Sequence, residues 1–262
     1  MNIPDHTQNI LDKINHSFSD FFGKDLVGIY VHGSLAMGCY NPESSDIDFL
    51  IVINKSLTLS EKNHLIESTL RLVADTSEKL EFSVVTADQL ENFTYPTPFE
   101  FHYSDSWKQK NIDRTIDLEE TNTDPDLAAH FVITKKHGFM LTGKPIRELF
   151  PEIPLNYYLD SIQKDADWSY KNVLNGPDDG TCKVPHYAVL NFCRILAFMQ
   201  DKLVTSKREG GEWGVKNLPS IYNPIIQEAL KEYAKAGSSE NIDCKLLKEY
   251  ADYCMKRISK DI

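Results

Sequence analysis

Positive charge is scarce in this 262-residue chain: 28 Lys and Arg stand against 39 Asp and Glu, a formal net charge of -11. A surface that grips a long nucleic-acid duplex needs the opposite balance, so that class of partner is disfavoured. A small cationic substrate is compatible, because an acidic cleft attracts it. Cysteine is also scarce, five residues at Cys39, Cys182, Cys193, Cys244 and Cys254, with no Cys-x-x-Cys and no Cys/His grouping. That pattern gives no support to a disulfide framework or a structural zinc site. No apolar run approaches the roughly 20 residues that a membrane span requires. The first residues, Met1-Asn2-Ile3-Pro4-Asp5-His6, lack the basic and apolar regions of a secretory signal, so the cytoplasm is the expected location. Internal repeats and low-complexity tracts are missing as well.

What is present is an ordinary globular composition, 41% hydrophobic and 26% charged, divided into two stretches of different pattern. The first alternates helix and strand. Ile10, Leu11, Ile14, Phe18 and Phe21/Phe22 recur at helical spacing over residues 8–22, and Leu26-Val27-Gly28-Ile29-Tyr30-Val31 reads as a buried strand. A second strand is expected over 46–53, a helix from Thr58 or Ser60 to Ala74 with Thr58 and Glu61 spaced as a capping box, and a third strand over 79–86. Residues 95–125, rich in Pro, Asp, Thr and aromatics, should be mostly irregular. From Asp126 the pattern becomes helical, with segments near 127–141, 157–174, 187–202, 221–236 and 242–258. Gly143, Pro145, Gly176-Pro177, Gly210-Gly211 and Pro219 read as breaks between them. The expected fold is an α/β catalytic domain over 1–123, a mixed sheet with flanking helices, followed by an all-α helical domain over 124–262.

The chemistry concentrates in His32-Gly33-Ser34-Leu35-Ala36-Met37-Gly38, followed by Ser45-Asp46-Ile47-Asp48-Phe49. Side chains alternate along a strand, so Asp46 and Asp48 share a face. Two carboxylates on one face repel in a dry site unless a cation lies between them. Mg²⁺ suits the position, since it takes one or two carboxylates together with substrate phosphate oxygens. The Gly33-Ser34 turn offers backbone N–H groups and a hydroxyl to those phosphates, and Ser45 is counted on the same nucleotide side. Glu81, on the third strand, is placed to complete the metal site or to take a proton from an attacking hydroxyl. Together these residues read as nucleotidyl transfer: in-line attack on the α-phosphorus of a nucleoside triphosphate. The aromatics Tyr157-Tyr158 and Trp168-x-Tyr170 have helical spacing and are expected in the core. Glu119-Glu120 and Asp124/Asp126 fit either the lining of a cleft for a cationic substrate or the cap of the helix after Pro125.

Gly33-Ser34, Asp46-x-Asp48 and Glu81 resemble the nucleotidyltransferase superfamily with the DNA polymerase β-like fold. The second half is similar, more narrowly, to the bacterial aminoglycoside adenylyltransferases that confer resistance to streptomycin and spectinomycin. That likeness rests on Asp124-Pro125-Asp126-Leu127-Ala128 with Leu141-Thr142-Gly143, on Leu190-Asn191-Phe192-Cys193-Arg194, and on Thr205-Ser206-Lys207 with Glu212-Trp213 and Leu218-Pro219. It runs over about 25–235 and implies an active site in the cleft between an α/β and a helical domain. It also implies that Arg194 and Lys207 contact the nucleotide's phosphates.

Two departures from that pattern bear on the acceptor. Trp107 stands in the region of a substrate-contacting tryptophan, at a spacing that suggests an insertion. No acid stands just before the arginine helix, where the chain reads Thr181-Cys182-Lys183-Val184-Pro185-His186-Tyr187; Asp178 and Asp179 come earlier. Spectinomycin is therefore favoured over streptomycin, with His186 and Tyr187 as further candidate substrate contacts. The expectation is a monomeric adenylyltransferase that uses ATP and two Mg²⁺ ions to modify a hydroxyl of an aminoglycoside or aminocyclitol, with Glu81 as base. The alternative from another class is a toxin-type nucleotidyltransferase acting on a protein or RNA.

Overall fold

A computed structural model describes residues 3–76, 78–113, 115–120, 122–174, 185–235 and 243–260. Asp178, Asp179 and the stretch 181–184 lie outside the described residues. The chain forms two compact units, 1–154 and 155–262.

The first unit runs α1 (Asp5–Phe22), β1 (Leu26–Val31), α2 (Gly33–Ala36), β2 (Ile47–Ile53), α3 (Leu59–Thr76), β3 (Leu80–Thr86) and α4 (Ala87–Glu91). It continues with β4 (Thr97–Phe99), β5 (Phe101–Tyr103), α5 (Asp105–Ile112), β6 (Asn122–Asp124), α6 (Leu127–His137), β7 (Phe139–Gly143) and α7 (Ile146–Leu149). Five strands make a mixed sheet in the order β5-β3-β2-β1-β7, and β4 pairs with β6 apart from it. Among the described residues only β2 and β3 run parallel, and the other pairs are antiparallel.

The strands are apolar on both faces because helices cover both. Ile47, Phe49, Ile51 and Ile53 meet Phe82, Val84, α1 and α3 on one side, with Phe49 and Phe82 stacked at 4.7 Å. Leu50, Val52 and Val85 meet Tyr30, Leu127, Phe131 and Phe150 on the other.

The helix before β3 starts where its capping signal stands. Thr58 Oγ1 accepts from the Glu61 N–H at 3.2 Å, and Glu61 Oε2 accepts from the Thr58 N–H at 2.8 Å. The Thr58 N–H and the Thr58 hydroxyl, both donating to Glu61 Oε2 at 2.8 Å, with Lys55 beside them, hold the Glu61 carboxyl down to about 2. A depressed carboxylate stabilises the fold above its ordinary value of 4.5 and loses that contribution as pH falls toward 2. Thr58→Ala is expected to cost about 1 kcal/mol and to flatten the acid limb of a stability–pH curve measured by urea unfolding.

The structure redraws the expected domain boundary. Segment 124–154 belongs to the first unit, because β7 adds to the sheet beside β1, pairing Val31 with Phe139 and Gly28 with Gly143. The helix expected over 127–141 therefore stops at His137. Segment 95–125, expected to be irregular, contains β4, β5, α5 and β6.

The second unit is helical: α8 (Leu155–Leu174), α9 (Pro185–Asp201), α10 (Lys207–Asn217), α11 (Asn223–Lys235) and α12 (Cys244–Ile258). Gly210 and Gly211, expected as a break, lie inside α10. A β-carbon at Gly210 would meet Arg194 Cγ at 2.7 Å, and one at Gly211 would meet Leu190 Cδ2 at 2.7 Å. Gly214 likewise rests against Cys193. These glycines let α10 lie directly on α9. Trp213 fixes the same contact, its indole N–H donating to Asp201 at 2.6 Å. Tyr158 is in the core as expected, whereas Trp168 is 49% exposed. Among the described residues, Cys193 and Cys254 are free thiols. Among the described residues no helix is long and apolar enough to cross a membrane.

Candidate active site

In the first unit, antiparallel β1 and parallel β2 and β3 bring three chain segments to one end of the sheet. Asp48 and Glu81 are register partners on β2 and β3. Strands lie about 4.8 Å apart, so their carboxylates leave the sheet side by side. By alternation they share the face of Leu50 and Val52, the one that α6 covers. Asp46 immediately precedes β2, and the Tyr40 phenol reports on both aspartates. Burial and Glu78 push that phenol up, and Asp46 and Asp48 add to the shift.

The Gly-Ser turn follows β1 directly. His32 N–H donates to the Asp48 carbonyl at 2.9 Å, tying the turn to the start of β2. Gly33 has φ +60°, and a β-carbon built on it would overlap the Asp48 carboxylate. Only glycine lets the turn come so near. Ser34 Oγ is buried and has no hydrogen-bond partner. A buried hydroxyl left in that state is one a ligand oxygen can satisfy. Ser45 Oγ accepts from the Asn41 N–H at 3.1 Å, closing the loop that leads into Asp46.

His32 of the motif is joined around this end of the sheet by two histidines that no sequence spacing relates to it, His102 and His130. His102, the register partner of Ser83 on β3, has Nδ1 2.9 Å from the Ser83 hydroxyl. His32 and His130 face each other with ring centroids 4.8 Å apart. One of the three rings is pushed toward charge and the other two toward the neutral form. Burial, then the charge on His130, lowers His32 well below its ordinary value and His102 to about 4. His130 is partly buried, which opposes its charge. Asp126, 3.4 Å away on the same helix, outweighs that with help from Glu81 and Asp124, and the ring is pushed up to about 10. The carboxylates of Asp126, Glu81 and Asp124 thus favour the charged form of this ring. Asp126 serves His130, and Asp124 accepts the Asp126 N–H at 2.8 Å, so both work at the start of α6. Trp107 packs edge-on to His102 at 5.0 Å.

Oxygen donors on Asp46, Asp48 and Glu81, beside a hydroxyl without a partner, are the donor set a hard divalent cation takes. Among the described residues no group of three or more His, Cys, Asp or Glu is close enough to hold a metal ion by itself. Mg²⁺ seldom uses such a cage; it binds through one or two carboxylates and the substrate's phosphates, and the residues present fit that mode.

In the second unit, Arg194 of α9 lies against Gly210 of α10, three residues on from Lys207. Ser206 caps α10 through a box with Glu209, at 3.1 and 2.9 Å, which fixes the backbone at Lys207. The Lys207 ammonium sits 4.4 Å from the centroid of the Tyr187 ring. His186 Nδ1 and Thr205 Oγ1 are buried without hydrogen-bond partners.

Paired carboxylates beneath a Gly-Ser turn at the end of a mixed sheet suit transfer of a nucleotidyl group, and the chain is a nucleotidyltransferase. Residues 11–114 match the family described as "Nucleotidyltransferase domain", and residues 148–257 match "Aminoglycoside adenylyltransferase, C-terminal domain". The chain thus carries a nucleotidyltransferase domain followed by a segment similar to the C-terminal domain of aminoglycoside adenylyltransferases. Among relatives, it is 26% identical over 219 residues to a spectinomycin 9-adenylyltransferase of Staphylococcus aureus, covering 82% of this chain and 80% of that one. An aminoglycoside (3'') (9) adenylyltransferase of Klebsiella pneumoniae is 25% identical over 242 residues, 90% and 88% of the two chains. In fold it is similar to the crystal structure of spectinomycin adenyltransferase AAD(9) from Enterococcus faecialis with ATP and spectinomycin. That likeness has a TM-score of 0.77 at 21% identity, over 96% of this chain and 99% of the other.

Proposed function

We propose that the protein transfers the adenylyl group of ATP to a hydroxyl of spectinomycin or a closely related aminocyclitol, releasing pyrophosphate. The register pairing of Asp48 with Glu81 beneath the Gly33-Ser34 turn carries this reading. The relatives named as spectinomycin 9-adenylyltransferases support the acceptor.

Asp46 and Asp48 would hold Mg²⁺, with Glu81 in reach of the same site; the cation, when bound, supplies charge neutralisation to the triphosphate and the departing pyrophosphate. The protein's own work lies around it. Gly33, Ser34 and Ser45 receive phosphate oxygens, and Arg194 and Lys207 bind the β- and γ-phosphates, where positive charge favours departure of pyrophosphate. Glu81 accepts the proton of the attacking hydroxyl as its oxygen bonds to the α-phosphorus and the bond to the bridging oxygen breaks. Trp107 and His186 are assigned to the acceptor.

The test is pyrophosphate release with ATP or GTP, Mg²⁺ and, in separate reactions, spectinomycin, streptomycin and other aminoglycosides, with mass spectrometry of the drug. The expected result is ATP-dependent release with spectinomycin and a product heavier by one adenylyl group. Absence of release with every drug, together with labelling of protein or RNA by radioactive ATP, would replace the reading with a macromolecular acceptor.

A further inference from the structure

Lys207 is the first residue of α10, and its cap fixes the backbone but not the side chain. A lysine ammonium on four methylenes is a mobile point charge. To act on a phosphate at a set place it needs a guide, and the structure places an aromatic face beside it. The Tyr187 ring, on α9, lies 4.4 Å from Lys207 Nζ, within the roughly 6 Å over which a ring face attracts a cation.

The ring is itself held from two sides by α8. Its hydroxyl is 3.3 Å from Asp165 Oδ1, and the Trp168 ring meets it edge-on at 5.5 Å and 81°. Trp168 is 49% exposed, so core burial does not account for its place; contact with Tyr187 does. Asp165 and Trp168 thus set Tyr187, and Tyr187 sets Lys207, a line of contacts across three helices of one unit.

We propose that Tyr187 is a positioning residue, whose ring holds the Lys207 ammonium in the place from which it meets the nucleotide's phosphates. This assigns Tyr187 to the nucleotide side of the reaction rather than to direct contact with the acceptor. It rests on the reading of Lys207 as a phosphate ligand under the proposed function. A π face orients an ammonium without cancelling its charge, so the lysine still attracts an anion.

The experiment is steady-state kinetics of Tyr187→Leu, Tyr187→Phe, Lys207→Met and the Leu/Met double variant, with KM measured separately for ATP and for spectinomycin. Tyr187→Leu is expected to raise KM for ATP about fivefold and to leave KM for spectinomycin within about twofold of the parent. Tyr187→Phe, which keeps the ring, should restore most of the ATP affinity. In the double variant the leucine should add little to the effect of Lys207→Met, because the two residues act through one contact. Tyr187→Gln supplies the same comparison should the leucine variant not fold. A rise in KM for spectinomycin without one for ATP would overturn the inference and return Tyr187 to the acceptor. Full additivity in the double variant would overturn it too. If Lys207→Met leaves KM for ATP unchanged, the underlying reading of Lys207 fails and the inference with it. If Lys207→Met weakens ATP but Tyr187→Leu does not, the reading stands and the inference alone is lost.

Discussion

Glu81→Gln is expected to lower kcat by about 10²–10⁴-fold while ATP binding, measured by equilibrium dialysis, stays close to that of the parent. The amide keeps the length and shape of the carboxylate, so the sheet and the Asp48 neighbour are undisturbed. It loses the one property a base needs, an oxygen that takes up a proton. It also removes negative charge from the neighbourhood of His130, whose imidazolium Glu81 helps to stabilise. Turnover comparable to the parent would sink the assignment of base. Loss of ATP binding in step with turnover would instead make Glu81 chiefly a partner of Asp46 and Asp48 in holding metal and nucleotide.

Gly33→Ala should be nearly as damaging, for a different reason. The new methyl would occupy the space of the Asp48 carboxylate, and the φ of +60° is one that alanine adopts poorly. The strain costs about 1–2 kcal/mol and lowers the melting temperature by a few degrees. The larger effect is on the carboxylate: displacing a reacting group by about 1 Å can cost on the order of 10²-fold in rate. Gly38→Ala separates the two effects. Gly38 has φ +67° and nothing within 4 Å of its missing β-carbon, so alanine there brings strain without displacement. A melting-point drop in both variants, with loss of kcat only in Gly33→Ala, is the expected pattern. Equal loss of activity in both would show that strain, not the overlap with Asp48, governs the site.

The carboxylates were legible in the sequence because their signal is local. Asp46 and Asp48 stand one residue apart at the mouth of an apolar strand, and the Gly-Ser turn lies close upstream. Even Glu81, a strand away, follows from counting elements. The histidines were not legible, since nothing in the spacing of positions 32, 102 and 130 relates them; the register of β3 with β5 and the packing of α6 over the sheet bring them together. Strand β7 was hidden for a related reason. Only Gly138 separates α6 from β7, so the apolar residues Phe139 and Leu141 extend a helical pattern, and only pairing with β1 shows them to be strand. Gly210 and Gly211 misled in the opposite direction. Glycine in sequence reads as interruption, yet here its missing side chain is what a helix–helix contact requires. Trp168 was expected in the core on its spacing, and its exposure draws attention to Tyr187.

The seating of α10 on α9 has a mechanical consequence. Helices in an ordinary bundle are separated by side chains whose rotamers give, so neighbouring axes slide and tilt with temperature. Where Gly210, Gly211 and Gly214 face Arg194, Leu190 and Cys193, α10 contributes no side chain to that layer and its backbone comes close to α9. The three positions are not equal. A methyl at Gly210 would press on the Arg194 backbone nitrogen at 3.0 Å, whereas one at Gly211 would meet only the tips of Leu190 and Leu230, which can turn aside. Gly210 is therefore the position at which the distance between the backbones bearing Arg194 and Lys207 is set, and Gly211 the one at which the packing has slack.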